Sequence, residues 1–379
     1  MNTLTWISLF LLILYVLKIQ RYRHDWIHYP TFKPSGVDHK TGISVIIAFR
    51  NERVNLPAVL SALQKQHYPA SLFEVILVDD HSDDGSEILV QGFCLEHENF
   101  RLIQNDATAS GKKSAINKGI AKAAFELIVT TDADCTMAPL WLATLAEYFH
   151  DRQPAMILGL VDMNKSPGFL GGFQEIEFLS LVAAGAAAAA GNSPIYCNGA
   201  CLAYRKSIFL TYPDPMQGAL ASGDDTLFML AVKRSGQGSI VLLKALPAVV
   251  TTRGMTTWCD FFHQRKRWIS KSLYYRDKQI LYTALLVFLV NVSVLSSLAA
   301  PVVIGNYWLF PVVYTGKMLT DLMFLRRYMQ FHGKVLPLLR FMLYELMYPF
   351  YVVFIAITGL STGFTWKGRR FKINSQIPT

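Results

Sequence analysis

Asp132 and Asp134 stand one residue apart, just past an apolar run at 125–129 and Thr130-Thr131. A buried strand would deliver both carboxylates at its carboxyl end, the edge where open α/β sheets bind ligands. Two carboxylates on one short turn suit a hard divalent cation, and such cations usually serve phosphate. A solvated turn uses Asp just as readily, so the triplet takes its meaning from its neighbours. Asp79-Asp80 closes a second apolar run at 73–78, and Gly111-Lys112-Lys113 opens a helical stretch between the two acidic pairs. A lysine beside helix N-terminal amides suits a diphosphate. An acid past an early strand suits ribose or base hydrogen bonds. No Gly-x-Gly-x-x-Gly follows the first strand and no Walker loop is present, which argues against a dinucleotide site and a P-loop. A nucleotide carrying a metal-bridged diphosphate remains.

The elements that must position these groups follow from hydrophobic pattern. Residues 43–49 form a continuous apolar run bounded by Gly42 and Arg50-Asn51-Glu52, as in a strand buried on both faces. Residues 54–66 carry helical spacing at Leu56, Val59, Leu60 and Leu63. Strands are expected at 73–78, 100–103 and 125–129, with helices at 86–95 and 112–124. The alternation βαβαβαβ predicts an α/β fold with a mostly parallel sheet. Further on, Asp225 follows Gly223 and precedes an amphipathic stretch, which puts it in the first turn of a helix; a capping role serves there equally well.

At 379 residues, one to three domains are expected. Apolar residues make up 52%, and they are unevenly placed. Residues 41–260 look globular, while 3–17 and 281–361 are dominated by apolar runs. The first run reads as a retained anchor, because no basic stretch precedes it and Lys18, Arg21, Arg23 and His24 follow, which places that flank in the cytosol. Spans are expected at 281–300, at 302–319, interrupted by Pro311 and Gly316, and at 341–360, containing Pro349. The last poses a conflict. A full crossing sets Lys367, Arg369 and Arg370 outside, whereas a break at Pro349 makes a re-entrant or interfacial segment with its tail inside. Both paths stay open. No ionisable cluster is expected within the spans, which disfavours a transporter. The formal charge of +9 needs no nucleic acid, since Arg265, Lys266, Arg267, Lys271, Arg276 and Lys278 flank an apolar run and are expected at anionic headgroups. The five cysteines show no zinc spacing and read as free thiols in a reducing compartment. The alanine-rich stretch 181–191 is either a tightly packed helix or a floor beneath a substrate or against lipid.

In order along 43–268, the chain resembles the family 2 glycosyltransferases with their GT-A fold. SVIIAFRNE (44–52), VDDHSDDGS (78–86), GKKSAINKG (111–119), TDADC (131–135), NGACLAYRKS (198–207), SGDDTLFML (222–230) and QRKRW (264–268) carry the likeness. His81 stands where a small residue or glycine is commoner, and Asp224 where Glu is more usual. The last motif, Gln-x-x-Arg-Trp, is similar to that of membrane-integrated members such as chitin, cellulose and hyaluronan synthases. TWKGRRF (365–371) also resembles a tail found in such transferases.

The resemblance implies an inverting, membrane-bound transferase moving a sugar from a nucleotide sugar, UDP- or GDP-linked, to a lipid, lipid-linked or glycan acceptor. A processive polysaccharide synthase and an inactive scaffold subunit are the competing expectations. Asp134, with Asp132, would hold Mg2+ or Mn2+. Glu52, Asp79, Asp80, Lys112 and Asp132 would bind the nucleotide sugar, with Asp79 equally a turn residue. Asp225 would be the general base. Asn198, Gly199, Asp224, Gln264, Arg267 and Trp268 would serve acceptor or diphosphate. Gln264 and Arg267 share a helix face by their spacing, Arg suits a diphosphate, and the segment also reads as an interfacial helix. The expected organisation is an anchor at 1–24, a cytosolic GT-A domain at 40–255, an amphipathic helix at 256–278, membrane segments at 279–364 and a basic tail at 365–379. The expected setting is a bacterial inner membrane, with oligomeric state open.

Overall fold

A computed structural model describes residues 2–36, 40–106, 111–212, 214, 224–366 and 369–371. Helix α1 (Thr3–His28) leads into β1 (Ile43–Phe49), α2 (Leu56–Gln64), β2 (Phe73–Asp79), α3 (Ser86–Glu96), β3 (Phe100–Gln104), α4 (Lys112–Lys122) and β4 (Leu127–Thr130). Every residue of β2 and β4 is buried, and all but one of β1, as continuous apolar runs require of central parallel strands. The helical spacing in α2 holds too, with Leu56, Val59, Leu60 and Leu63 all facing the core.

The second half of the domain is built from shorter pieces. These are β5 (Thr136–Met137), α5 (Trp141–Arg152), β6 (Met156–Leu158), β7 (Val161–Met163), α6 (Gly168–Ala190), β8 (Leu202–Arg205), α7 (Lys206–Leu210), α8 (Asp224–Ser235), β9 (Ile240–Leu242), β10 (Val250–Thr252) and α9 (Trp258–Ile269). The main sheet has the order β3-β2-β1-β4-β8-β6-β9. It is parallel except that β8 runs against both β4 and β6. A second sheet has the order β5-β10-β7. Register places Phe49 opposite Asp79 and Ile46 opposite Thr130. The carboxyl ends of β1, β2 and β4, with the acids that follow them, therefore share one edge.

After the domain come α10 (Lys278–Leu298), α11 (Ala300–Ile304), α12 (Leu309–Phe331) and α13 (Leu338–Ser361), then the hairpin β11 (Phe364–Trp366) and β12 (Arg369–Phe371). By length and composition, α1, α6, α10 and α13 are each able to cross a membrane. Three expectations need correction. The segment expected at 302–319 is interrupted at Gly305, which takes a positive φ of 64°, and its second helix runs on to Phe331 through Arg326 and Arg327. Pro349 lies within a continuous α13 and does not break it. An ionisable cluster does exist among these helices. Lys317 Nζ donates to Asp321 Oδ2 and Glu345 Oε2, each at 2.8 Å, and the Tyr15 hydroxyl donates to Asp321 Oδ1 at 2.6 Å, tying α1, α12 and α13 together.

Helix α13 lies alongside α9. Phe354 meets Phe262 at 5.5 Å and Tyr351 meets Phe261 at 5.7 Å between ring centres. At Gly359 a Cβ would sit 3.0 Å from the Ile269 side chain, and β11 also packs on α9. The tail hairpin therefore lies beside the domain, and the unbroken α13 removes the break at Pro349 on which one of the two paths rested.

Candidate active site

The Asp132-x-Asp134 turn is anchored from below. Thr130, the last residue of β4, donates its hydroxyl to the Gly199 carbonyl at 2.9 Å. The Gly199 N–H in turn donates to Asp225 Oδ2 at 2.9 Å, and the Thr226 N–H to Asp225 Oδ1 at 2.6 Å. Three segments distant in sequence thus meet through two hydrogen bonds. Asp225 occupies the first turn of α8, where the helix N-terminus favours negative charge. Asn198 accepts from the Ala200 N–H and so shapes the turn that carries Gly199.

Ligand atoms of Asp132, Asp134 and Cys135 lie within 4.8 Å of one another. Burial first, then the charges of Asp132 and Glu52, push the Asp134 carboxyl up to about 6, against a downward pull from Lys112. Burial and the same two aspartates hold the Cys135 thiol well above its usual range, so it stays neutral. A hard cation prefers oxygen, which leaves the two carboxylates as the fitting pair. Lys112 Nζ donates to Asp132 Oδ1 at 2.5 Å.

At the β2 end of the site, Asp80 Oδ1 accepts from Asn105 Nδ2 at 2.9 Å and from the Gly111 N–H at 2.8 Å. Asp79 turns away. Its carboxylate accepts from the Ser82 N–H and hydroxyl, a turn-closing role. Glu52 Oε2 accepts from Asn55 Nδ2, and Asn55 Oδ1 accepts from Arg253 Nη1, both short bonds across the rim. Asn51 and His81, just past β1 and β2, have φ of 53° and 62°. A left-handed backbone at His81 is a physical reason for glycine to suit that position.

Beside these groups lies one cavity of about 1330 Å³, above the ~300–1,000 Å³ of an ordinary small-ligand site. Its wall takes in Glu52, Asp80, Lys112, Asp132 and Asp134 at one end, and Asn198, Gly199 and Asp225 beside them. Gln264, Arg267 and Trp268 of α9 close another side. Asp79 is not among the lining residues. The Asp224 side chain lies outside the described residues, as do Ser222 and Gly223.

Arg265 lies within the Gln-x-x-Arg-Trp segment. Instead of facing headgroups it is 2% exposed. Its Nε donates to both Glu177 carboxylate oxygens at 3.0 Å, and its guanidinium sits 4.2 Å from the Trp268 ring centre and 4.6 Å from that of Phe261. It also donates to Gln264 Oε1. Lys271 is buried as well. A partner 88 residues away left no local signal for this pair. Tyr196 was likewise missed: it lines the cavity, and burial followed by the Asp225 charge raises its hydroxyl well above its ordinary range. The alanine-rich stretch forms part of the packed helix α6, and one side of it also lines the cavity. Ala183 and Ala186–Ala189 are buried, while Leu181, Ala184 and Gly185 face the cavity.

Residues 44–212 match the family described as Glycosyl transferase family 2. Glycosyltransferase AglE of Haloferax volcanii is 33% identical over 100 residues, 26% of this chain and 33% of that protein. The poly-beta-1,6-N-acetyl-D-glucosamine synthase of Staphylococcus epidermidis is 26% identical over 144 residues, 37% of this chain and 34% of that protein. The chain thus spans about a third of the length of these two relatives. Among solved structures, the mannosyltransferase PcManGT from Pyrobaculum calidifontis in complex with GDP-Man and Mn2+ aligns with a TM-score of 0.61 at 19% identity, covering 94% of this chain and 99% of that one. The fold is accordingly of the GT-A type, with a parallel-rich sheet.

Proposed function

Taking residues 44–212 as a glycosyl transferase family 2 domain, we propose that this protein is an inverting transferase that moves a sugar from a nucleotide sugar to an acceptor at a membrane. One observation carries the reading. Two adjacent carboxylates, a carboxylate at a helix N-terminus and the Gln264, Arg267 and Trp268 face of α9 line a single cavity, although they come from segments some forty to ninety residues apart.

Glu52 and Asp80 bind the base and ribose. Lys112 exchanges Asp132 for the diphosphate once the donor arrives, and Arg267 reaches the same group from α9. Asp132 and Asp134 would hold a divalent cation, which when bound would supply positive charge against the departing diphosphate; the structural neighbour in complex with GDP-Man and Mn2+ supports this. Asp225 takes the proton from the acceptor hydroxyl. The acceptor oxygen bonds to the anomeric carbon from the face opposite the diphosphate, and the bond to the diphosphate breaks. One such displacement inverts the anomeric centre, so an α-linked donor gives a β-linked product. Trp268 offers an aromatic face to the acceptor.

The domain sits on the cytosolic side, where nucleotide sugars are made, with α9 in the headgroup layer and α13 entering the bilayer beside it. The direct test is to incubate the purified full chain with a panel of UDP- and GDP-sugars, with Mn2+ or Mg2+, with and without lipid extract. Release of nucleoside diphosphate, and a mass increment of one sugar on an extract component, is the expected result. A ladder of increments supports a processive synthase instead, and no release with any donor contradicts the reading.

A further inference from the structure

The cavity does not end at the catalytic groups. It continues between the helices that follow the domain, where Leu281, Leu285 and Phe288 of α10 and Ile357 and Leu360 of α13 line it. Four of these five carry large accessible areas: Leu281 by 66%, Leu285 by 51%, Ile357 by 57% and Leu360 by 40%. Exposed apolar side chains therefore border the cavity where it runs along α10 and α13, which pack on each other. Both helices are long and apolar enough to cross a membrane. A rim of exposed leucine and isoleucine in water would be unfavourable, whereas in a bilayer it faces hydrocarbon. A water-soluble glycan would want a polar mouth; Asp321 and Glu345, which also line the cavity among these helices, are instead paired with Lys317.

The head of the cavity specifies the reacting group. Asp225, held by the Gly199 and Thr226 N–H groups, is a carboxylate at the point where the acceptor must present its nucleophile. A phosphate monoester is already ionised near neutral pH and needs no base; Lys112, Arg267 and Arg276 also line the cavity, but at Asp225 itself a phosphate meets a like charge. An alcohol needs a proton acceptor, and its hydroxyl donates to one.

We infer that the acceptor is a membrane amphiphile bearing a free hydroxyl, which enters sideways between α10 and α13 and lays its hydrocarbon chain in the apolar arm while its hydroxyl meets Asp225. The inference rests on the proposed transferase reading and narrows its acceptor class. In the reaction the lipid O–H proton passes to Asp225, the lipid oxygen bonds the anomeric carbon, and nucleoside diphosphate leaves.

The test uses the full chain in nanodiscs with a radiolabelled nucleotide sugar chosen from the panel above. Three acceptors are offered separately: a neutral glycerolipid or glycolipid with a free hydroxyl, a polyprenyl phosphate, and a soluble oligosaccharide. Label is expected in the organic phase on the hydroxyl lipid. Leu285→Trp and Ile357→Trp, which fill the opening, should each raise the acceptor KM at least tenfold. Val302→Trp, at a residue 91% exposed on α11 and outside the cavity, should leave it unchanged. Label on the polyprenyl phosphate, label on the soluble glycan, or wild-type KM in both portal variants overturns the inference while leaving the transferase reading intact. No nucleoside diphosphate released from any donor overturns both.

Discussion

Arg265 is the keystone of the α6–α9 contact, and its removal has a computable cost. The side chain is 2% exposed and that of Glu177 9%. Three guanidinium bonds reach the Glu177 carboxylate, and the Tyr351 hydroxyl donates to the same group at 2.8 Å. Arg265→Met strands a buried carboxylate, which costs about 3–5 kcal/mol. For a chain of 379 residues an unfolding entropy of about 2.1 cal/mol/K per residue makes each kcal/mol worth roughly 1.3 °C, so the midpoint should fall by about 4–6 °C. The double variant Arg265→Met, Glu177→Leu removes both charges and should recover most of that loss. Turnover should not recover, because Gln264 and Trp268 still lack the guanidinium that braces them. The assay is a thermal melt in detergent at fixed scan rate beside nucleoside diphosphate release at low temperature. An unchanged melt in the single variant, or full activity in the double, would refute the argument.

Four more expectations come from the same geometry. Asp134, pushed up to about 6, must lose its proton to ligate a cation, so apparent Mn2+ affinity should be level above pH ~7 and fall about tenfold per unit below ~6; calorimetric titration across pH checks this. Without cation the sign runs the other way: the folded state holds a proton that the unfolded chain releases between about pH 4 and 6, so stability of the metal-free protein falls as pH rises through that window. If Lys112 pairs the diphosphate as proposed, Lys112→Met should weaken donor binding ~10–100-fold, while the melt barely moves because the Lys112–Asp132 pair is partly exposed. Lys317→Met leaves Asp321 and Glu345 without their shared cation and should cost about 3–5 kcal/mol, read as a lowered melting midpoint.

The first half of the domain was legible because its strands are buried on both faces and its helices on one. The runs at 43–49 and 73–78 became β1 and β2 with their ends in register, and the acids beyond them needed only that register to converge. The second half was not legible. Its strands are two to four residues long, too short to display a period, and α6 is apolar around most of its circumference because it packs against α1 while also walling the cavity. Gly305 looked like any glycine in an oily stretch until its positive φ ended α11. Arg265 looked like one of several basic residues at a membrane flank. Only the fold brings Glu177 to it, and nothing local to either residue announces the pair.

The account stands on Asp225 accepting the acceptor proton in a cavity shared with Asp132 and Asp134. Asp225→Asn keeps the shape of the side chain and removes the base. Single-turnover transfer should slow by ~10²–10⁴-fold, with nucleotide-sugar affinity preserved in the same preparation. Transfer at the wild-type rate in that variant, with the donor bound normally, would contradict it.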